Sequence, residues 1–283
     1  MIYQRSNYRK LIVDINRVLS QFITISNQYS MKQRKYLRIF NFIMYSYEIL
    51  IFSGNNGLIY IIKDYINGNQ VPSQLILIYI LHSIAASTWL IFYNFIIESC
   101  IHLQSYLTVM LYDIDSIDEN RPDLLKRIYN TRLTYIEGIQ ITRKLDCYLS
   151  IFITCFYVQS TIICYLNFVE IFHDNTPFLL KNLFISGQAF YIIFITCHFV
   201  YVNCLSVKCY DQVYQLSLCS SISQQVTTEV NFFLDRINRH DVGFTFANLF
   251  VITPSFVSSL ATISLTLALA APDLFKEKQL SQS

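Results

Sequence analysis

Asp241-Val-Gly-Phe-Thr-Phe-Ala-Asn-Leu-Phe-Val-Ile-Thr-Pro-Ser-Phe-Val-Ser-Ser-Leu-Ala-Thr-Ile-Ser-Leu-Thr-Leu-Ala-Leu-Ala-Ala-Pro-Asp273 is the stretch that decides the class of this chain. Nothing between Asp241 and Asp273 carries a charge. About 20 apolar residues suffice to cross a bilayer, and this run is longer. Thr253 is placed to cap a helix and Pro254 to open it, where a missing N–H costs nothing. Pro272 is a stop signal. A helix from Pro254 to Ala271 would be about 27 Å long at ~1.5 Å per residue, close to the hydrocarbon thickness. At ~100° per residue, Ser255, Ser258, Ser259, Thr262 and Thr266 fall on one stripe. Val257, Leu260, Ala261, Leu267 and Ala268 fall opposite, with Ser264 as the exception. Hydroxyls in a membrane helix either bond back to their own backbone or a neighbouring helix, or face water. A stripe of five leaves both readings open.

The rest of the chain has the same character. Hydrophobic residues make up 53% and charged residues 14%, against about a quarter charged in soluble domains. Four further apolar stretches are expected to span a membrane: 39–62, 75–97, 148–169 and 179–205. The first is interrupted by Gly54-Asn55-Asn56-Gly57. The fold class expected is therefore an all-α, polytopic membrane bundle of five spans.

The connecting segments set its orientation. Residues 67–74 and 171–178 are short and hold no Lys or Arg, whereas 98–147 and 206–242 are long and polar. One side collects 17 Lys and Arg and the other four: Lys63, Lys181, Lys276 and Lys278. By the positive-inside rule the N-terminus is cytosolic and, after five crossings, the C-terminus is extracellular. Residues 1–35 read as a cytosolic amphipathic segment, because Leu11, Ile12, Ile15, Val18, Leu19 and Phe22 recur at helical spacing. Residues 36–271 form the bundle and 272–283 an extracellular tail. Apolar residues keep helical spacing through 98–147 and 206–242, so the helices are expected to continue below the membrane and pack there.

Catalysis is not supported. His82, His102, His173, His198 and His240 form no paired box, and none of the eight Cys has CxxC spacing. His198 reads as ordinary packing. Asp113, Asp115, Asp118 and Glu119 read as a solvated turn, since the spacing of a calcium loop is missing. Glu48 and His82 stand out because ionisable groups inside a membrane are expensive and often functional.

Asn248-Leu-Phe-Val-Ile-Thr-Pro-Ser-Phe-Val-Ser-Ser-Leu-Ala-Thr-Ile resembles the last-helix region of the insect gustatory receptor and gustatory receptor-like superfamily. A Gly/Asn-Leu-Phe turn there follows a cytosolic helix and starts the final membrane helix. The basic helix from Arg132 to Leu145, the aromatic-rich spans and the C-terminus expected outside fit the same family. The family has seven membrane helices. The five spans here correspond to its third to seventh, and residues 1–35 to its first cytosolic loop, so the chain resembles a member lacking the first two helices. The insect signature Thr-Tyr-(five apolar)-Gln-Phe is absent. Aligned at Thr262, the Tyr is Ile263 and the Gln-Phe pair is Leu269-Ala270.

The resemblance implies a tetrameric ligand-gated cation channel, homomeric or heteromeric, in the plasma membrane. Each subunit would give its last helix to a central pore and take small molecules in the outer half of the bundle. Ser255, Ser258, Ser259, Thr262 and Thr266 would line the pore, and Leu269 would form an apolar gate. Glu48, Tyr79, His82, Trp89 and Gln188 would line the ligand pocket. The cytosolic extensions would hold the oligomer, with Leu216 and Val230 in the contact. No cofactor and no nucleic acid is expected; the partners are membrane lipid and a small-molecule ligand. A G-protein-coupled chemoreceptor fragment and a truncated, non-conducting regulatory relative are the alternatives.

Overall fold

The structure, a computed structural model, describes residues 13, 23–54, 66–67, 73–117, 122–173, 178–218, 223–237 and 242–266. The described residues are all-α apart from one small hairpin. The elements are α1 (Ile23–Gly54), α2 (Ser73–Asp115), α3 (Leu124–His173), α4 (Phe178–Ser217), α5 (Gln224–Ile237), β1 (Thr245–Phe246) and β2 (Phe250–Val251). A last helix, α6, covers 254–266. At 50 residues α3 is about 75 Å long, far beyond a bilayer's ~30 Å. Among the described residues, the stretches Leu124–Ile162 and Ala189–Ser217 are long and apolar enough to cross a membrane.

Helix boundaries follow local chemistry. Ser223 caps α5: its carbonyl takes the Thr227 N–H at 3.0 Å, and its hydroxyl faces the Val226 N–H at 3.5 Å. α1 is described as far as Gly54. α1 runs unbroken through residue 35 into the first apolar stretch, while Leu11, Ile12, Ile15, Val18, Leu19 and Phe22 lie outside the described residues.

The chain divides into two compact units. The first comprises Met1–Gln33, Ser99–Tyr157 and Thr196–Ile263. Its core holds Ile101, Leu103, Leu145, Leu149, Ile153, Val202 and Val213, all fully or almost fully buried. α5 closes this core with Val226, Val230, Phe233 and Ile237, spaced four, three and four apart on one face. Val230 is 0% exposed, and the Phe233 ring meets Tyr135 edge-on at 5.4 Å. This corrects the expectation that Val230 faces an oligomer contact: the α5 stripe is used within its own chain. Leu216 is half-buried.

The second unit comprises Arg34–Glu98, Val158–Ile195 and Ser264–Ser283. Phe40 stacks on Phe194 at 3.8 Å and lies 5.4 Å from Tyr191, whose ring meets Tyr93 at 4.6 Å. Asn41 donates to Asn94 at 2.7 Å, and Arg34 pairs with Glu98 at 3.1 Å.

Candidate functional site

The start of α6 is held by a tightly bonded hairpin. The strands before it have two residues each, paired Thr245 with Val251 and Phe246 with Phe250. Ala247 and Asn248 between them take φ of 55° and 57°. The Leu249 N–H reaches the Phe246 carbonyl at 2.9 Å. Two positive φ values inside such a bond are the pattern of a type I′ turn. Asn tolerates this conformation; Ala pays for its Cβ, about 1 kcal/mol or more. Gly243 has φ 153°, and a Cβ there would stand 2.9 Å from a Val251 methyl group. The Ile252 N–H closes back on Phe244 at 2.8 Å.

The hairpin is held chiefly by α3. Asp146 accepts the Thr245 N–H on one carboxylate oxygen and the Thr245 hydroxyl on the other, both at 2.7 Å. Ser150 accepts the Asn248 N–H at 3.0 Å, and Thr154 accepts the Ala247 N–H at 2.8 Å. From α4, Asn203 donates to the Val242 carbonyl at 3.0 Å. Below these bonds lie packed rings: Phe199 on Phe244 at 5.2 Å, and Tyr157 edge-on to Phe246 and Phe256 at 6.2 and 6.1 Å. Burial pushes the Asp146 carboxyl above the usual carboxylate range, outweighing the two Thr245 bonds that favour the ion.

α6 begins as its sequence dictates. The Thr253 hydroxyl accepts the Phe256 N–H at 3.2 Å, and Pro254 is the first helical residue. Phe256, Val257 and Leu260 are half-buried; Ser255, Ser258, Ser259, Thr262 and Thr266 are exposed. Ala261, Ile263, Ser264 and Leu265 are exposed as well, so exposure alone does not single out the hydroxyls in the last turns. Ser259 donates back to Ser255 at 3.0 Å and Thr262 to Ser258 at 2.9 Å. Both readings of the stripe thus have a physical counterpart: an exposed side, and hydroxyls satisfied one turn back. Leu269 lies outside the described residues.

Of the pocket residues named from sequence, Trp89 is half-buried and stacks on Tyr93 at 5.5 Å, with Phe92 edge-on at 6.2 Å. Glu48, Tyr79, His82 and Gln188 lie on α1, α2 and α4, but their side chains fall outside the described residues. His198 is bound into the core of the first unit, where the Gln104 amide donates to its carbonyl at 2.9 Å. Gln104 in turn accepts from Tyr29 at 3.1 Å. Asp113 is less solvated than its acidic run suggests: Thr131 donates to it at 2.9 Å and Arg127 stands at 3.6 Å. These groups line a cavity of about 330 Å³ with Asp123, Lys126 and Asn130. Its charges are of both signs, so it offers no net pull on a charged ligand. Among the described residues, no cluster of three His, Cys, Asp or Glu side chains is arranged for a metal ion.

The anchor residues Asp146, Ser150 and Thr154 did not stand out in the sequence. Their signal was present: polar groups every fourth residue in a stretch that turns apolar after Cys147. No protein-family model matches the chain, and no curated protein sequence matches it.

Proposed function

We propose that the chain is a chemosensory receptor-like subunit of a ligand-gated cation channel, similar to gustatory receptors. It crosses the plasma membrane five times, with its N-terminus cytosolic and its C-terminus outside, and works as a tetramer, homomeric or heteromeric. The observation that carries the reading is the orientation of α6. Its apolar side, Val257 and Leu260, is half-buried against its own chain, while Ser255, Ser258 and Ser259 stay exposed. A helix that offers hydroxyls outward is suited to line a shared aqueous path, because hydroxyls can replace part of an ion's hydration without fixing a charge preference.

Two further observations support a membrane setting. Leu77, Ile80, Leu81, Ile84 and Ile91 on α2 are each more than half exposed, at helical spacing, in a stretch without a charge. An apolar outward face of that length is the inverse of a soluble surface. The distribution of Lys and Arg, 17 against four, supports the orientation. Pore lining by Ser255, Ser258, Ser259, Thr262 and Thr266, with Leu269 as gate, follows from the same reading. So does a small-molecule pocket drawing on Glu48, Tyr79, His82, Trp89 and Gln188.

The test combines topology with water access. A C-terminal epitope tag should bind antibody on intact cells; binding only after permeabilisation sinks the reading in favour of a G-protein-coupled fold. Cysteines placed singly from Ser255 to Ala271 should react with a small water-soluble thiol reagent at 255, 258, 259, 262, 266 and 269, and be spared at 257, 260, 264 and 268. Reactivity centred on 264 and 268 removes the pore assignment. A labelled pattern without current from the chain alone would favour the non-conducting relative.

A further inference from the structure

Residues 146, 150 and 154 are four apart, so they stand one above another on a single face of α3. Each turns an oxygen to a main-chain N–H of the hairpin: Thr245, Asn248 and Ala247 respectively. Two-residue strands are too short to hold themselves. The hairpin's shape is therefore set from outside, and most of the outside bonds come from this one face. Asp146 and Ser150 are buried, at 8% and 1% exposure, so water competes poorly for these bonds. α6 starts at residue 254, directly after the hairpin, with Thr253 as its cap. The residues between the anchored amides and the helix are tied by the pairing of Thr245 with Val251 and by the Ile252 N–H to the Phe244 carbonyl at 2.8 Å.

We propose that Asp146, Ser150 and Thr154 are positioning residues that form a ladder fixing the origin of the last helix to α3, so that a displacement of α3 is handed to the last helix through the hairpin. The carboxylate is the principal rung because it takes two bonds, one from the Thr245 main chain and one from its side chain. Ser150 and Thr154 hold the two residues of the turn that have positive φ. The ladder gives the proposed pore helix a mechanical input. It rests on the reading of α6 as the working element, but the joint itself can be tested without current.

The experiment uses the full chain in lipid nanodiscs, with amide exchange over 242–253 as one readout. Asp146→Ala should speed exchange of the 245–248 amides by about tenfold or more, the range expected for a lost buried bond to a charged acceptor. Asp146→Asn keeps an oxygen for the Thr245 N–H and should stay within about threefold of the parent chain. Ile153→Ala, a buried α3 residue off the ladder, should lower thermal stability without selectively loosening 245–248. Spin labels at Phe152 and Ile263, both exposed, give the second readout. Their distance distribution should broaden in Asp146→Ala and in Ser150→Ala/Thr154→Ala, and stay narrow in Asp146→Asn. Unchanged exchange and an unchanged distribution in Asp146→Ala overturn the ladder. So does a loosening that Ile153→Ala reproduces equally. A ladder that passes while the C-terminal tag proves internal leaves the joint standing and the channel reading lost.

Discussion

The two units bury different chemistry. Residues 99–157 and 196–263 enclose Gln104, Ser105, Thr131, Thr142, Asp146, Ser150, Asn203 and Ser206, each nearly shut off from solvent. Among the described residues of 34–98 and 158–195, Ser160 is the buried polar side chain, and the interior is a cluster of rings around Phe40, stacked on Phe194 and tilted against Phe190 and Tyr191. The outsides differ in the opposite sense. α2 shows the second unit's apolar stripe from Leu77 to Ile91 outward. Both units carry ion pairs, Arg132 with Glu229 and Arg127 with Asp113 in the first and Arg34 with Glu98 in the second, so it is the uncharged stripe on α2 that sets the second unit's outside apart. A polar interior must be satisfied bond by bond, and that specifies geometry. An apolar interior under an apolar exterior suits a solvent without water, where burial alone gives little direction.

The largest test of this contrast is Val230→Asp. The residue is 0% exposed in the first unit, and an unpaired carboxylate there has no partner. A loss of about 4 kcal/mol or more is expected, seen as loss of a cooperative denaturation transition in detergent. The counterpart is Leu81→Asp, at 57% exposure on the second unit's stripe. In detergent it should move stability by less than about 0.5 kcal/mol. In a glycosylation-reporter assay in microsomes it should cost about 2.5–3.5 kcal/mol of insertion. If Leu81→Asp unfolds the detergent-solubilised chain as Val230→Asp does, the stripe faces protein and the contrast fails.

Each unit also packs a tyrosine on a glycine, which sharpens the comparison. Gly138 lies against Tyr106, and Gly187 against Tyr47. Tyr106 is 1% exposed and its hydroxyl is tied to the Thr134 carbonyl, so its ring cannot retreat. Gly138→Ala should cost about 2 kcal/mol by overpacking. Tyr47 is half-buried, so Gly187→Ala should cost clearly less. Equal midpoint shifts for the two in chemical denaturation would mean that the second unit is as tightly specified as the first.

The same two chemistries explain what was legible in the sequence. The all-α class, the helical spacing of α5 and the Thr253–Pro254 start of α6 were readable, because they depend on local pattern. The destination of a stripe was not. Val226, Val230 and Phe233 have the spacing of any amphipathic helix, and only the tertiary structure shows that they close their own core. The hairpin was hidden for a related reason. Its bonds join residues about a hundred apart, as in Asp146 with Thr245, and no local window contains both. The aromatic residues were read as pocket material. Trp89 packs its ring on Tyr93 and Phe92, contacts that lie within one helix turn and say nothing of a ligand.

Smaller effects should follow pH, and they belong to the first unit. Burial raises the Asp146 carboxyl above its ordinary value, so the folded chain holds that proton more tightly than the unfolded one. The stability this contributes is fully present below the ordinary carboxylate range. It is lost as pH rises through the raised value. Asp146→Asn cannot titrate, so the difference in melting temperature between the two chains should move in favour of the variant as pH rises from about 4 towards neutrality. A difference that moves the other way would mean that the Thr245 bonds outweigh burial.

The smallest expected effect is at Ala247. Its φ of 55° places a Cβ where only glycine is comfortable, at a cost of about 1 kcal/mol or more. Ala247→Gly removes that cost but gives the unfolded chain more freedom, worth about 0.5–1 kcal/mol. The balance is a gain of about 0.5 kcal/mol or less, read as a small rise in denaturation midpoint. Asn248→Gly, at φ 57°, should give nothing, because Asn already tolerates that region. The pair separates strain from anchoring. The N–H groups of both residues are held by Thr154 and Ser150, and glycine keeps those donors. If Ala247→Gly weakens the fold, flexibility at the turn matters more than the Cβ. The hairpin would then owe its shape to stiffness within the turn as well as to the α3 side chains that grip it.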